Sequence, residues 1–520
     1  MISKIRSALG VEVPIRVLFE AATVAELVEH LDTGVRVRLG LSVWERPARV
    51  PLSFAQRRLW FLHRLEGPSA TYNLPTALRV TGALDVLALR LAVGDLVSRH
   101  ETLRTMFPEL GDTPTQQILS AEAAETGWQI VDVTGWSQKK FQKAVAQAAR
   151  YPFDLASEIP VRVSVFRRAP EEHVVLLLVH HIAADGWSTA LLMRDLSQAY
   201  AARRRGVAPR WEPLPVQYVD YTLWQRELLG DRQDPNSLIS RQFDYWGGEL
   251  AGLPEVLQLP TDRPRPPAAT YRGGLVPFEI DPRTRAAVEQ LARREDATVS
   301  MVLQAALAVL LFRLGAGDDI PVGAPIAGRT DDALTDLVGF FVNTCVLRTA
   351  VAADQSFRAL LTQVRGKALA AYENQDAPFD LLVELLNPVR SPAHHPLFQV
   401  ALAFQNNQLP DLRFPEARVE EITAPTGTSR FDLFFNIVDT PVDGARSTGW
   451  SGFVEYATDL FDQESIEMLV ARFIRVLRQA AAEPTRAVGR LDVLDEVERR
   501  RVLEVWNDTT VSLPDVTVPD

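Results

Sequence analysis

Cysteine is almost absent from this chain: Cys345 is the single one in 520 residues. That excludes an intrachain disulfide framework and fits a reducing, cytoplasmic compartment. No apolar run approaches the ~20 residues of a membrane span, and the N-terminus lacks the apolar core of a signal peptide. Positive charge is in deficit, with 55 Lys and Arg against 66 Asp and Glu and a net charge of −11. Phosphate backbones need a basic surface, so a nucleic-acid partner is not expected, and neither is a membrane. There is no G-x-S-x-G elbow, no P-loop, no zinc-ligand spacing, no short-period repeat and no low-complexity tract. What is present, 47% apolar and 23% charged residues, is ordinary for a soluble globular protein. The length exceeds one ordinary core, so about two to four domains are expected.

Residues 1–34 read as a fragment of another unit. Ile5, Leu9, Leu18, Phe19, Val24, Leu27, Val28 and Leu31 suit two or three short helices, with Thr23 as an N-cap and Glu26 three positions on. So short a piece buries no useful core alone. Residues 35–48 are charged and aperiodic, which predicts a linker. An α/β pattern then runs from Val50, with a helix from Ser53 to Leu62, a strand from Tyr72 to Val80 and an amphipathic helix from Asp85 to Leu103. The Arg- and Pro-rich stretch 203–215 predicts a boundary between lobes at 49–216 and 217–485; the proline tract 259–267 reads as a surface excursion. Pro282 to Arg294 and Val299 to Arg313 are long helices, with Ala308 to Leu311 fully buried. Residues 486–520 look like a connector leading onward.

Chemistry concentrates at His180-His181-Ile182-Ala183-Ala184-Asp185-Gly186. Val174 to Val179 before it read as a buried strand, and Leu191, Leu192, Leu196 and Tyr200 after it lie at helical spacing. A lone histidine in such a place is more often structural than catalytic. Two at the mouth of a buried strand, followed by Asp-Gly opening a helix, point to a site. Consecutive residues of an extended chain face opposite ways, so His180 and His181 have different surroundings and do not jointly bind a metal. Asp185, just ahead of a helix, reads as a cap or buried ion-pair partner rather than a general base. Gly186, with no side chain, lets its N–H approach a developing oxyanion. Cys345, in an apolar strand-like context, reads as a buried structural thiol, and His394-His395 as a turn into a strand.

Taken together, the motifs resemble the condensation domains of non-ribosomal peptide synthetases. His180 to Ser188 is similar to that family's HHxxxDG signature. Ser53 to Leu62, Arg99 to Thr105, Tyr218 to Tyr221 with Trp224-Gln225, Val338 to Thr344, Asn374 to Asp380 and Ser429 to Leu433 resemble its other core motifs, in family order. The signature alone is weak evidence, since related acyltransferases share it; seven ordered motifs are strong. The fold implied is two chloramphenicol-acetyltransferase-like α/β lobes in a V-shaped pseudo-dimer with a tunnel between them. Residues 1–34 resemble the C-terminal helices of a peptidyl carrier domain, and Trp506-Asn507-Asp508-Thr509 the linker into an adenylation domain. Ser3 and Ser7 lack the Gly-Gly-[His/Asp] that precedes a phosphopantetheine serine, so neither is assigned.

The activity implied is amide formation, in which an acceptor amine attacks a donor thioester. Donor and acceptor arrive on the 4'-phosphopantetheine arms of upstream and downstream peptidyl carrier domains; no intrinsic cofactor and no metal are expected. An excised piece of this kind is expected to be monomeric. The resemblance makes His181 the catalytic histidine, either removing a proton or holding the amine, with Gly186 a minor contributor. His180, Asp185 and Arg329 become structural at the site, Asp185 pairing with Arg329. It sets Trp187, Ser188, Asn343, Arg104 and Arg430 along the tunnel. For Trp187 a core position is the alternative, for Asn343 a backbone-satisfying amide, and for Arg104 and Arg430 the favoured reading is simple ion pairs. The rivals are an epimerisation domain of the same fold and a non-catalytic platform recruiting partner enzymes. Heterocyclisation domains, which replace the signature with an aspartate-based one, fit less well.

Overall fold

The computed structural model describes residues 2–21, 23–31, 38–111, 113–406, 412–439 and 449–510. The remainder, including residues 32–34 of the expected carrier fragment, 35–37 of the expected linker and 511–520 of the expected connector, lies outside the described residues. Two large sheets organise the molecule, beside a small three-stranded one of Val50–Pro51, Thr115–Ile118 and Thr105–Met106. The first has five strands in the order Ala417–Ile422, Asn73–Gly82, Glu172–His180, Val161–Ala169 and Gly127–Asp132. The second has six, in the order Asn343–Ala350, Asp319–Ile326, Val400–Gln405, Leu433–Val438, Trp450–Ala457 and Gly273–Ile280.

Glu172–His180 is apolar without alternation because both of its faces are covered. Val175, Leu177 and Val179 join one cluster with Leu89, Val93, Leu192 and Leu196, from helices Val86–Arg99 and Gly186–Arg204. Val174 and Leu176, on the other face, meet Phe141 and Val145 of helix Gln138–Ala149. The strand is central, antiparallel to Asn73–Gly82 on one side and Val161–Ala169 on the other. In the second lobe, helix Val299–Arg313 is buried from Met301 to Leu311. It is enclosed by helices Pro282–Arg294, Phe357–Glu373 and Gln463–Ala482 and by the sheet, which is why it lacks a polar face. Among the described residues no single helix is long and apolar enough to cross a membrane.

Two features depart from the sequence-based expectation. The helix expected from Asp85 to Leu103 ends at Arg99, because His100 is extended (φ −107°, ψ 102°) and a 3-10 turn, Glu101–Arg104, follows. The His100 ring is buried and its Nε2 lies 3.0 Å from Asp195. That contact requires the chain to leave the helix. The lobes are also not contiguous segments: Ala417–Ile422, far inside 217–485, crosses back and pairs antiparallel with Asn73–Gly82. It covers what would otherwise be an open edge of the first sheet.

Candidate active site

The signature turn is built from both lobes. His181 N–H donates to the Tyr72 carbonyl at 2.7 Å and His180 N–H to Pro160 at 2.9 Å, so the strand end is held to its neighbours. The turn's own carbonyls are taken up by two distant motifs: Gln56 Nε2 donates to Ile182 (3.4 Å) and Thr102 Oγ1 to Ala183 (3.3 Å). Ser53 caps helix Phe54–Glu66 in a reciprocal box with Gln56, and its Oγ lies 2.9 Å from Tyr218 Oη. That hydroxyl donates to the Phe340 carbonyl at 2.6 Å. One hydrogen-bonded chain thus joins the first lobe to the segment that faces His181.

The two histidines diverge. His180 turns into the first lobe, where its ring packs against Phe153 (5.9 Å between centroids) and its Nδ1 accepts from Ile182 N–H at 3.1 Å. His181 turns to the second lobe and meets Phe340 edge-on at 4.8 Å, with 8% of its surface exposed. Among the described residues its buried Nδ1 has no hydrogen-bond partner. Burial, and next the nearby Arg430 guanidinium, pull the His181 imidazole down to about 3. Burial does the same to His180 and to His395, also to about 3. All three rings are therefore neutral at pH 7.

Those histidines predict an acid-sensitive fold. Each binds a proton less readily folded than unfolded, so unfolding takes up protons below the unfolded value of about 6.5. Stability is then lost as pH falls through 6.5 and stops falling from this source only near 3. Urea midpoints measured between pH 7.5 and 4.5 should decline steadily on the acid side. A flat profile across that range would show that the rings are not desolvated.

Asp185 is fully buried as the N-cap of helix Gly186–Arg204. Its Oδ1 accepts from Ser188 N–H (2.8 Å) and lies 2.7 Å from Ser188 Oγ; its Oδ2 accepts from Phe341 N–H (3.1 Å). Arg329 Nη2 approaches Oδ1 at 3.3 Å, with 4% of the arginine side chain exposed. The guanidinium also donates to the Leu334 and Leu337 carbonyls and lies 4.2 Å over the Phe341 ring. Burial draws the Arg329 guanidinium down, while Asp185 holds it up. The carboxylate thus lies inside a network shared by Ser188, Arg329 and Phe341. Gly328 makes the loop possible: its φ is +66°, and a Cβ there would stand 2.0 Å from the Phe341 carbonyl oxygen. Gly186 is different, exposed at the helix start, where a Cβ would meet nothing within 4 Å.

The residues expected along the tunnel divide. Ser188 is fully buried, and its Oγ accepts from Gly339 N–H (3.1 Å) and Arg329 (3.0 Å), inside the Asp185 network. Helical geometry turns this residue, three positions past the cap, inward. Asn343 is spent on backbone, donating to Gln375 (3.0 Å) and Ala377 (2.7 Å) and accepting from Phe379 N–H (3.1 Å). Arg104 pairs with Glu101 at 3.6 Å and donates to the Leu119 carbonyl. Trp187 is half-buried, its Nε1 donating to Thr335 at 3.1 Å. The Arg430 guanidinium lies 5.4 Å over the Tyr72 ring, on the His181 side. Tyr72, Phe340, Gln56 and Thr102 all touch the turn, and the sequence pattern does not mark them as site residues; only the place of three of them, Gln56, Thr102 and Phe340, within the ordered motifs hints at it. Among the described residues no group of three or more His, Cys, Asp or Glu could hold a metal. Cys345 is buried, its thiol pushed up to about 12 by burial.

Two α/β lobes of the chloramphenicol-acetyltransferase type, meeting around this turn, define a class of acyl-transfer folds. Within it, a family model described as the condensation domain matches residues 48–503, and one described as a phosphopantetheine attachment site matches residues 1–31. The chain belongs to the condensation-domain family. It is similar to a probable non-canonical nonribosomal peptide synthetase of Salinispora arenicola, 52% identical over 503 residues, 96% of this chain and 6% of that protein. It is also similar to a dimodular nonribosomal peptide synthase of Bacillus subtilis, 47% identical over 520 residues, 100% of this chain and 22% of that protein. The chain thus spans under a quarter of the length of these relatives. Among solved structures, the X-domain in complex with OxyB from teicoplanin biosynthesis superposes with a TM-score of 0.80 at 34% identity, covering 88% of this chain and 99% of that one.

Proposed function

We propose that this domain forms a peptide bond between two carrier-bound substrates. The observation that carries the reading is the neutral His181 imidazole, held at the junction of the lobes beside the open start of helix Gly186–Arg204. The acceptor's α-amine nitrogen attacks the donor's thioester carbonyl, the C–S bond breaks, and the donor arm leaves as thiolate. The proton lost by nitrogen ends on that sulfur, and the lengthened acyl chain remains on the acceptor arm. Burial leaves the His181 imidazole a much weaker base than an amine near ~8, so it takes a proton from an α-ammonium unfavourably. His181 therefore acts on the amine already neutral, accepting its hydrogen bond and orienting it for attack. Gly186 N–H, at the positive end of the helix, supports the oxyanion in a minor way.

Residues 1–34 are read as the end of an upstream peptidyl carrier, with the acceptor supplied by a downstream carrier and residues 486–520 leading towards an adenylation domain. The family match to a phosphopantetheine attachment site supports the carrier part. The test supplies two separately loaded carrier proteins in a single-turnover reaction read by intact mass. Dipeptidyl product on the acceptor carrier is expected. A second reading, a platform that recruits partner enzymes, is favoured by one observation: a 34% identical relative is seen in complex with another protein. Intact His181, Asp185 and Gly186 weigh against it. Binding to a neighbouring enzyme with no product across several donor and acceptor pairs would establish the platform, and deuterium uptake at the α-carbon of a single loaded substrate would establish epimerisation.

A further inference from the structure

The loop that carries Arg329 is held from outside by the N-terminal linker. Arg38 pairs with Asp376 and lies 5.4 Å over the Trp224 ring. Trp224 Nε1 in turn donates to the Leu39 carbonyl at 2.7 Å. Leu41 N–H then donates to Asp331 Oδ2 at 3.3 Å, two residues from Arg329. Farther along, Trp44 N–H donates to Asp220 at 3.1 Å and Arg46 pairs with Glu101 at 3.0 Å. From the carrier fragment, Arg6 donates to the Thr330 carbonyl at 2.8 Å, next to Arg329 itself. Between strap and loop lies a cavity walled by Arg38, Tyr221, Trp224, Gly328, Thr330 and Phe341. Leu41 and Trp44 of the strap also pack against the apolar cluster of Tyr218, Tyr221, Trp224, Leu334, Leu337 and Phe341, so polar and apolar contacts together set where the loop sits.

We propose that the linker segment 38–46 is a positioning strap for the active site. Arg38 anchors the strap to Asp376 and Trp224, the anchored strap brings Leu41 N–H to Asp331 of the loop 328–331, the loop places Arg329 against Asp185, and Asp185 fixes Phe341 and the signature turn. A carrier attached through this linker is thereby mechanically connected to the site, and not merely tethered near it. The catalytic half of this inference rests on the condensation reading; the conformational half does not.

The test uses the full chain with Arg38→Ala, Arg38→Lys, Arg6→Ala and, as a distant control, Arg204→Ala, whose partner is Glu416 at 2.8 Å. Hydrogen exchange is followed at Gly339 and Phe341, whose N–H groups bond Ser188 Oγ and Asp185 Oδ2. Amide formation is followed with both carriers supplied as separate proteins, so that tethering plays no part. Arg38→Ala should speed exchange at both amides by about tenfold, as coupled residues of one network do, and lower kcat by a similar factor. The KM for the acceptor carrier should not move. Arg38→Lys, which keeps the charge for Asp376, should restore part of both effects. Arg6→Ala should give a smaller shift in the same amides, and Arg204→Ala none. Faster exchange confined to the linker, with Gly339, Phe341 and kcat unchanged, would overturn the proposal. So would a rise in KM alone, which is what a docking or tethering role predicts. If the unaltered chain makes no product, the condensation reading fails, and the exchange arm still decides the strap.

Discussion

Replacing His181 with alanine lowers amide formation by about a hundredfold, the order of loss that a misplaced reacting group brings, and leaves the lobes assembled. The side chain makes one aromatic contact, to Phe340, and its Nδ1 is unpartnered among the described residues. Removing it therefore breaks no buried ion pair and strands no charged partner. Intact-mass single-turnover rates, with circular dichroism and urea midpoints alongside, separate the two effects. The pH dependence sharpens the expectation. An imidazole held near 3 does not titrate in the working range. The rate of the unaltered domain should rise through pH 6.5 without a break and level off only near the acceptor amine's own value of about 8. A break near 6.5 that disappears in His181→Ala would sink this account, because it would show that the histidine itself gains and loses the proton.

Replacing Asp185 with alanine costs about 3–5 kcal/mol of stability, the usual penalty for stranding one member of a buried ion pair. Arg329, almost fully buried, loses its carboxylate; Ser188 N–H and Phe341 N–H lose their acceptor; and the helix Gly186–Arg204 loses its cap. Activity disappears with it, but as a consequence of a collapsed junction. Equilibrium urea unfolding of Asp185→Ala and Arg329→Ala, and of the two combined, checks the mechanism. Removing both should cost clearly less than the sum of the single losses, because no charge is left unpaired. A stable, well-folded Asp185→Ala that still makes no product would instead assign the carboxylate to the substrate.

Much of the site is legible along the chain, and the limits have identifiable causes. The strand Glu172–His180, the cap at Asp185 and the opposite orientation of the two histidines follow from local rules: an apolar run, an Asp before a helix, and the alternation of an extended chain. The same rules find Thr23 with Glu26, whose reciprocal capping box is present, and helices Pro282–Arg294 and Val299–Arg313. They fail at His100, where a buried contact to Asp195 ends a helix that periodicity would continue. They do not reach the bond between Ser188 and Gly339, which a distant segment brings into the Asp185 network. The pairing of Asp185 with Arg329 comes from family resemblance, since nothing local links the two residues.

By itself the sequence determined the kinds of element, their order and the chemical character of the turn, because those depend on neighbours a few residues apart. It also excluded an intrachain disulfide and set the family through seven motifs in order. Tertiary structure alone decided the return of Ala417–Ile422 to the first sheet, the neutral state of His181 and the strap of residues 38–46 over the Arg329 loop. Each of these depends on which distant segment arrives to exclude water or accept a hydrogen bond. Desolvation and long-range pairing are properties of a place in space, and a position along the chain does not specify its surroundings.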